Sequence, residues 1–533
     1  MQRYLTPLVA LLGVIDNATS LHAQRPVARS SQTRPSLVVL VTVDQLRADY
    51  LTLYEHQLSG GLGRLLRGGA VFLDAYQDHA ITETAPGHAS TLSGRFPRST
   101  GIVSNSAGVY DPQAPLIGAR GDPASPFRFR GTTLVDWLRQ RQPESRALSV
   151  SRKDRGAILP MGRAKQSVYW YASNGTFTTS TYYADTLPDW VKGFNAKRLP
   201  HSYAGKSWDL LLPSSEYAEP DSVSLENGGR DFVFPHHFPS DSAQTAAVLP
   251  NFPMMDDLTL AFALAGVRHL ELGKGPHTDL LAISLSSTDA VGHRFGPDSR
   301  ELHDQLLRLD RALGWFLDTL YSLRDSSQVV IALTGDHGVA PLPEAASPYR
   351  SQPAGRVNLR PVVDSTIARA RRRGLDPAAI QFDDGVLLLD RDAIRRAGLD
   401  PDSIATSFRT QVLRVPGVLR ADLVPTLSAR DTITDYIARR WLHMLPADLP
   451  AAVVVTLRPF WYYQGVTYAT HGTPHDYDAR VPIILSGAGI QPGRYRQRAR
   501  VVDIAPTLAT VVGVPPLERL DGRVLRSVLK PER

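Results

Sequence analysis

The chain has 533 residues, of which 43% are hydrophobic and 21% charged, a composition typical of globular proteins and not of disordered chains. It contains no cysteine, which excludes disulfide scaffolds, thiolate metal sites and cysteine nucleophiles, so any metal must be held by histidine and carboxylate side chains. The net charge of +7 favours anionic ligands, but no RRM or helix-turn-helix signature is present, and we expect no nucleic-acid partner.

Residues 1–23 have the features of an export signal. Arg3 precedes a short apolar stretch over residues 5–15, which is too short to span a bilayer, and small residues follow as far as Ala23. We expect cleavage after Ala23 and a periplasmic protein; the alternative is a buried or frayed N-terminus. Because no later apolar run has the length of a membrane-spanning helix, we expect no stable membrane insertion.

Four continuous apolar runs rich in β-branched residues predict strands that are buried on both faces of a sheet. They cover residues 36–43, 280–285, 329–333 and 481–485. Residues 301–323 carry leucines and phenylalanine at helical spacing and predict a long helix. Strands alternating with helices predict an α/β fold, namely a doubly wound, mostly parallel sheet with helices on both faces. Ligands of such sheets bind beyond the carboxyl ends of the strands.

Two long segments interrupt the alternation of strands and helices. Residues from about 106 to 255 are rich in aromatic residues, Pro, Ser and Gly, and residues from about 351 to 465 contain only short helices and strands. We interpret both segments as insertions that form a cap or lobe on one discontinuous domain spanning residues 36–526. A linker over residues 24–35 precedes this domain, and a tail over residues 527–533 follows it.

Carboxylates and imidazoles cluster where the predicted strands end. In chain order they are Asp44 after the first strand, Asp289 and His293 after the second, Asp336 and His337 after the third, and His471 before the fourth. Such ligands suit zinc, manganese or iron, with a weak preference for zinc. Six are too many for one tetrahedral ion but match two metals that share a substrate. Each residue alone has an alternative as a helix cap, surface pair or turn, so the joint placement carries the prediction.

Residues 84–88 (TAPGH) predict the start of a helix, because Pro86 suits the first turn. Thr84 then lies at the helix N-terminus, where the dipole favours an anion, and a metal-bound hydroxyl there can become a nucleophile. The alternatives are a plain helix cap at Thr84 and Thr82 as a rival hydroxyl. Downstream, Asn105 can donate a hydrogen bond to a phosphoryl oxygen or simply belong to a turn.

Taken together, these motifs resemble the alkaline phosphatase superfamily, most closely the branch of type I phosphodiesterases and nucleotide pyrophosphatases. The matching segments are Val43-Asp44-Gln45, Thr84-Ala85-x-Gly87-His88, Gly101-x-x-x-Asn105, Ser287-Thr288-Asp289-x-x-Gly292-His293, Gly335-Asp336-His337-Gly338, His471-Gly472-Thr473 and Val502-Asp503-Ile504-Ala505-Pro506-Thr507. The resemblance spans residues 36–526, and the ordered set is far more specific than any single motif.

Residues 151–160 and 175–183 further resemble the phosphate-irrepressible alkaline phosphatases, the PafA type. This resemblance implies that Lys153 and Arg155 contact the phosphoryl group of the substrate. A monoester dianion has one more charged oxygen than a diester, so a cation pair stabilises it selectively. The alternative is a solvated turn.

The resemblance implies a zinc-dependent, exported alkaline phosphatase that hydrolyses phosphate monoesters through a covalent phosphothreonine. It implies Asp289, His293 and His471 as ligands of one zinc ion, Asp44, Asp336, His337 and the Thr84 oxygen as ligands of a second, Thr84 as the nucleophile, and Asn105, Lys153 and Arg155 as contacts of the phosphoryl oxygens. Glu83 departs from the family pattern, which has a neutral residue beside the nucleophile. Its carboxylate either points away or repels the phosphate.

Two other functions stay open. One is a phosphodiesterase or nucleotide pyrophosphatase with the same two zinc ions, and the other is a non-catalytic phosphate- or glycan-binding protein on a decayed enzyme fold. A sulfatase is disfavoured because the chain has no cysteine and a threonine occupies the nucleophile position. We expect a monomer that acts on small phosphate monoesters.

Overall fold

A computed structural model describes residues 34–345 and 352–531, so the predicted export signal lies outside the described residues. The strands are β1 (Leu37–Val43), β2 (Ala70–Tyr76), β3 (Ala147–Ser151), β4 (Ser167–Ala172), β5 (Thr176–Thr178), β6 (Ser207–Trp208), β7 (His236–His237), β8 (Asp279–Leu285), β9 (Val329–Gly335), β10 (Gly355–Val357), β11 (Ile380–Asp383), β12 (Val386–Leu389), β13 (Val418–Leu423), β14 (Ala451–Leu457), β15 (Trp461–Tyr463), β16 (Arg480–Gly487), β17 (Gly493–Tyr495) and β18 (Ala499–Arg500).

The helices fall mostly between the strands of the central sheet. They are α1 (Tyr50–Leu53), α2 (Gly61–Gly68), α3 (Thr84–Ser93), α4 (Pro97–Thr100), α5 (Leu134–Arg141), α6 (Asp154–Ile158), α7 (Asp189–Asn195), α8 (Ser242–Val248), α9 (Met254–His269), α10 (Ser287–Phe295), α11 (Arg300–Leu323), α12 (Arg360–Arg371), α13 (Arg391–Arg396), α14 (Pro401–Val412), α15 (Tyr436–Met444), α16 (Asp476–Ala479) and α17 (Ile504–Val512). Among the described residues, no helix combines the length and apolar character that crossing a bilayer requires.

The central sheet has the strand order β17-β2-β16-β9-β1-β8-β3-β4-β5, with β18 also pairing with β2. The four predicted strands are confirmed as β1, β8, β9 and β16, and the sheet is mostly parallel, as predicted. Strand β16, however, runs antiparallel to both of its neighbours, β9 and β2. A continuous apolar run indicates burial on both faces, and a central antiparallel strand meets that condition as well as a parallel one.

The helices cover both faces of the sheet, which confirms the doubly wound α/β fold. In β1, Leu37, Val39 and Val41 pack into the core beneath α2, α9 and α11, whereas Val38 and Leu40 pack into the core beneath α3, α5 and α17. This alternation follows from the two-residue period of a strand, which sends successive side chains to opposite faces. Helix α11 matches the predicted helix over residues 301–323 within one residue.

The structure corrects two of the predicted domain boundaries. Strands β3, β4 and β5 lie inside the segment interpreted as an insertion over residues 106–255, yet they belong to the central sheet. They are short, and β4 carries aromatic residues in place of an aliphatic run, so their pattern does not indicate a central strand. The predicted tail also begins within the domain, because Val528 is buried and Leu529 pairs with Ile490.

The second segment, over residues 351–465, contains a separate four-stranded antiparallel sheet with the order β11-β12-β14-β13. This sheet has its own apolar core, to which α12 and α14 contribute. A smaller cluster packs Ala80 and Ile81 against Val386, Trp441 and Val454. The separate sheet is thereby anchored to the chain segment that leads into α3.

Candidate active site

The register of the parallel strands brings the predicted ligands to one edge of the sheet. Val43, the last residue of β1, pairs with Leu285 at the end of β8 and with Gly335 at the end of β9. The three strands therefore end at the same level, and Asp44 and Asp336 follow them directly. Helix α10 begins just after β8 and supplies Asp289 and His293, and the loop between β15 and α16 supplies His471. The structure brings all six residues together.

The first group of predicted ligands consists of Asp289, His293 and His471. His293 lies one turn after Asp289 on α10, and its Nε2 atom is 3.1 Å from Asp289 Oδ1. His471 Nε2 is 3.9 Å from the same oxygen. The Nδ1 atoms of the two rings lie 2.5 Å from the Ala469 carbonyl oxygen and 2.8 Å from that of Thr82. Backbone carbonyls thus fix both rings with Nε2 facing the carboxylate, as in metal-binding histidines.

The second group consists of Asp44, Asp336 and His337. His337 Nε2 is 3.3 Å from Asp44 Oδ1 and 3.6 Å from Asp336 Oδ2, and the Gly338 carbonyl oxygen lies 2.9 Å from Nδ1. Burial alone would lower the pKa of His337, but the two carboxylates raise it to about 9. The ligand atoms of these three residues lie within 4.8 Å of one another, as do those of Asp289, His337 and His471.

Asp44 and Asp289 stay ionised although they are buried. Burial and the charge of Asp289 act to raise the pKa of Asp44, but Lys153 and His337 outweigh them and hold it below its usual value. Burial likewise acts to raise the pKa of Asp289, and Lys153 and His293 hold it well below its usual value. The site is therefore a buried concentration of negative charge that is balanced by neighbouring cations.

The donor set fits metal ions. Asp44 and Asp336 are fully buried, and the described neighbours of Asp44 Oδ1, Asp44 Oδ2 and Asp336 Oδ2 are side-chain nitrogens, those of His337, Lys153 and His88. Buried carboxylates normally accept hydrogen bonds or coordinate a metal. Carboxylate oxygens and imidazole nitrogens without thiolates are ligands that zinc accepts.

Thr84 faces the second group of ligands. Helix α3 begins at Thr84, as predicted, and the Thr84 hydroxyl lies 3.5 Å from His337 Nε2. The helix can approach this closely because residue 87 is glycine; a Cβ atom there would lie 2.4 Å from the Asp336 carbonyl oxygen. The rival hydroxyl of Thr82 donates to the Thr473 carbonyl oxygen at 2.9 Å.

Lys153 lies at the centre of the site. Its Nζ atom is 2.6 Å from Asp44 Oδ2, 2.7 Å from Asp289 Oδ2 and 3.3 Å from Thr84 Oγ1. The cation therefore touches a ligand of each predicted metal as well as the hydroxyl. The contact of Lys153 with a phosphoryl group, which the resemblance implies, stays a prediction.

Asn105 and Arg155 have different surroundings. Asn105 Oδ1 accepts a hydrogen bond from the Ala85 backbone N–H at 2.9 Å, so Nδ2 is the atom that can donate to a ligand. Arg155 pairs with Asp154 at 3.5 Å and is partly exposed. Asn105 is thus hydrogen-bonded beside Thr84, whereas the Arg155 side chain pairs with Asp154, the preceding residue in α6.

Gln45 connects the two groups of ligands, a role that the sequence motif did not indicate. Its backbone N–H donates to Asp336 Oδ1 at 3.0 Å, and its side-chain Nε2 donates to Asp289 Oδ1 at 3.2 Å. The φ angle of Gln45 is 67°, which is uncommon for a residue other than glycine. A Cβ atom at Gly292 would lie 1.8 Å from Gln45 Oε1, so glycine at position 292 makes room for this side chain.

His88 and Arg152 also contact the site without having been assigned a role. His88 Nδ1 lies 2.9 Å from the Thr84 carbonyl oxygen and 3.2 Å from Asp336 Oδ2, and its Nε2 lies 2.8 Å from Ser284 Oγ. Arg152 donates to Asp289 Oδ2 at 3.3 Å. Both lie inside motifs quoted above, residues 84–88 and 151–160, and this was the signal that could have identified them. The carboxylates that they contact come close to them only in the folded chain.

Comparison with known proteins places this site in a family. A sequence profile of the family described as type I phosphodiesterase / nucleotide pyrophosphatase matches residues 38–380. The chain is 32% identical to the alkaline phosphatase PhoV of Synechococcus elongatus over 95% of each chain. It is 29% identical to the alkaline phosphatase PafA of Elizabethkingia meningoseptica, with 96% of this chain and 97% of PafA covered. The crystal structure of wild-type PafA superposes with a TM-score of 0.85 at 28% identity, covering 93% of this chain and 99% of PafA.

Proposed function

The chain belongs to the type I phosphodiesterase / nucleotide pyrophosphatase family and is an alkaline phosphatase, a phosphoric monoester hydrolase, and we propose that it acts on small phosphate monoesters with two zinc ions through a covalent phosphothreonine on Thr84. The observation that carries the proposal is the position of the Thr84 hydroxyl. It lies at the N-terminus of α3, 3.5 Å from His337 Nε2 and 3.3 Å from Lys153 Nζ.

Seven side chains would hold the two zinc ions. Asp289, His293 and His471 would bind one of them, and Asp44, Asp336, His337 and the Thr84 oxygen would bind the other. Bound zinc would act as a Lewis acid that lowers the pKa of the Thr84 hydroxyl and offsets the charge of the leaving oxygen. The burial of Asp44 and Asp336, and the His337 Nε2 atom close to both carboxylates, support this assignment.

The residues of the chain supply the remaining parts of the reaction. Thr84 Oγ attacks phosphorus as the bond to the ester oxygen breaks on the opposite side, which gives phosphothreonine and the free alcohol. Water then attacks the same phosphorus, the Thr84 Oγ–P bond breaks, and inorganic phosphate leaves. Asn105 Nδ2, Lys153 Nζ and the first N–H groups of α3 stabilise the charge on the phosphoryl oxygens.

The preference for monoesters would depend on Lys153 and Arg155. A monoester dianion carries more charge than a diester, so each cation near the phosphoryl group favours the monoester. Lys153 already touches Thr84, and Arg155 follows it on the first turn of α6, where a movement of the side chain away from Asp154 would free it for the substrate. The central position of Lys153 supports this part of the proposal most strongly.

The double variant Lys153→Ala/Arg155→Ala tests this preference. We expect kcat/KM for p-nitrophenyl phosphate to fall by about 100-fold or more, because two charge-assisted hydrogen bonds to the transition state are lost. For bis-p-nitrophenyl phosphate, which has one charged oxygen fewer, we expect a fall of less than about threefold. Zinc content is measured in parallel, since Lys153 also contacts Asp44 and Asp289.

The matched control is Arg163→Ala/Lys165→Ala, which removes the same charge from two exposed residues nearby in the chain. It should leave kcat/KM for both esters unchanged. An equal fall for both esters in the Lys153/Arg155 variant would contradict selective contact with the dianion and would favour a diesterase that uses the same metals.

We also propose that the protein is exported to the periplasm and acts there as a monomer. The apolar stretch and the small residues over positions 1–23 support export. Both features lie before the described residues, so this proposal is based on the sequence alone.

A further inference from the structure

Glu83 lies directly before the nucleophile, yet its carboxylate does not cap the helix that follows. Helix α3 begins at Thr84, and Glu83 occupies the capping position without a hydrogen bond from its side chain to that helix. Instead, Glu83 Oε2 accepts the backbone N–H of Asn105 at 2.7 Å. This distance is typical of a charge-assisted hydrogen bond.

Asn105 is therefore fastened at two points to the first turn of α3. Its backbone N–H donates to Glu83, and its side-chain Oδ1 accepts the backbone N–H of Ala85 at 2.9 Å. Glu83 and Ala85 are the two residues that flank Thr84. The position of the Asn105 amide thus depends on the same turn that positions the nucleophile.

The segment that carries Asn105 is neither helix nor strand, although Ile102 and Val109 on either side of Asn105 are buried in the core. Residues 101–109 lie between α4 and an isolated bridge at Tyr110, and their internal contacts are turn hydrogen bonds, including Gly108 N–H to the Asn105 carbonyl oxygen at 3.2 Å. Loop segments of this kind are less firmly held than helices and strands. The contact from Glu83 spans 22 residues of chain and connects the loop to the core of the site.

We propose that Glu83 is a positioning residue that holds Asn105 in place to donate to the phosphoryl oxygens, an inference that rests on the proposed function. A neutral hydrophobic residue at position 83 cannot accept the Asn105 N–H. Displacement of a positioned group by about 1 Å can lower a reaction rate by a large factor. Loss of the hydrogen bond from Asn105 to Glu83 would therefore lower the rate by displacing the Asn105 side chain. The sequence predicts that this carboxylate either points away from the phosphate or repels it; in the structure it accepts the Asn105 N–H, and its effect on the phosphate stays a prediction.

A double-mutant cycle on the zinc-loaded, full-length protein tests this role. Glu83→Ala should lower kcat/KM by about tenfold, the effect of one lost hydrogen bond to a charged group. Glu83→Gln keeps an oxygen that can accept the Asn105 N–H and should stay within about threefold of wild type. Because Glu83 acts through Asn105, adding Glu83→Ala to Asn105→Ala should lower kcat/KM by less than about twofold beyond Asn105→Ala alone.

Asp310→Ala is the matched control, because Asp310 is a buried carboxylate that also accepts backbone N–H groups, those of Gly60 and Gly63, outside the site. It should lower Tm without lowering kcat/KM of the folded protein. Additive effects of Glu83→Ala and Asn105→Ala would overturn the proposal, as would a Glu83→Gln variant that is as impaired as Glu83→Ala.

The cycle is measured on whichever of p-nitrophenyl phosphate and bis-p-nitrophenyl phosphate the wild type hydrolyses faster. A preference for the diester would therefore contradict the proposed function without affecting the measurement of coupling between Glu83 and Asn105. Non-additivity on the preferred ester supports the positioning role in either case, and additivity contradicts it in either case.

Discussion

Replacing Thr84 by alanine is expected to lower kcat for p-nitrophenyl phosphate by about 10⁴-fold or more, because it removes the proposed nucleophile itself. The Thr84 hydroxyl lies between Lys153 Nζ and His337 Nε2, at 3.3 Å and 3.5 Å. The rival hydroxyl of Thr82 is engaged by the Thr473 carbonyl oxygen and cannot replace it without breaking that bond. Steady-state kinetics on purified zinc-loaded protein measure the effect.

Two controls distinguish loss of the nucleophile from loss of the fold. Thr84→Ser keeps a hydroxyl at the same position and should retain far more activity than Thr84→Ala, while Thr82→Ala should leave kcat within about threefold of wild type. Circular dichroism and zinc content of Thr84→Ala should match those of the wild type. Near-normal turnover by Thr84→Ala would contradict a covalent phosphothreonine.

Removal of the proposed metals with a chelator is expected to lower activity by at least about a thousandfold, and added zinc should restore it. The reason is the buried set of three carboxylates, Asp44, Asp289 and Asp336, whose oxygens lie close to imidazole nitrogens in the way that the ligands of a metal ion do. Dialysis against a chelator, followed by titration with zinc, measures both the loss and the stoichiometry. Full activity at a zinc content below about 0.1 per chain would contradict the proposed role of the metals.

A ligand variant complements the chelation experiment. Asp289→Asn should reduce the bound zinc from about two ions to about one, because Asp289 is assigned to one ion only. The matched control is Asp503→Asn, a buried carboxylate that accepts the backbone N–H groups of Arg500 and Arg523 outside the site. Its zinc content should equal that of the wild type. Retention of two tightly bound zinc ions by Asp289→Asn would contradict the assignment.

The candidate ligands could be predicted from the sequence because three of the strands that precede them are continuous apolar runs. Strands β1, β8 and β9 pair in register and end at one level, so residues that follow them in the sequence, such as Asp44 and Asp336, meet in space. Strands β3 to β5 lacked this signal, since β4 carries Tyr169, Trp170 and Tyr171 in a short segment. Their pattern therefore predicts part of an insertion instead of strands of the central sheet.

The supporting hydrogen bonds could not be predicted in the same way. Gln45 contacts Asp289 and Asp336, which lie 244 and 291 residues further along the chain. Glu83 contacts Asn105 across a loop whose course no local pattern determines. Local patterns identify residues that face a common edge, but contacts between side chains and distant backbone groups depend on how the whole chain packs.

The most direct test of the account is the ratio of kcat/KM for p-nitrophenyl phosphate to that for bis-p-nitrophenyl phosphate, measured on the zinc-loaded wild-type protein. A site in which Lys153 lies 3.3 Å from the Thr84 hydroxyl should favour the dianionic monoester by about 100-fold or more. A preference for the diester would contradict the account, because the same metals and nucleophile would then belong to a phosphodiesterase.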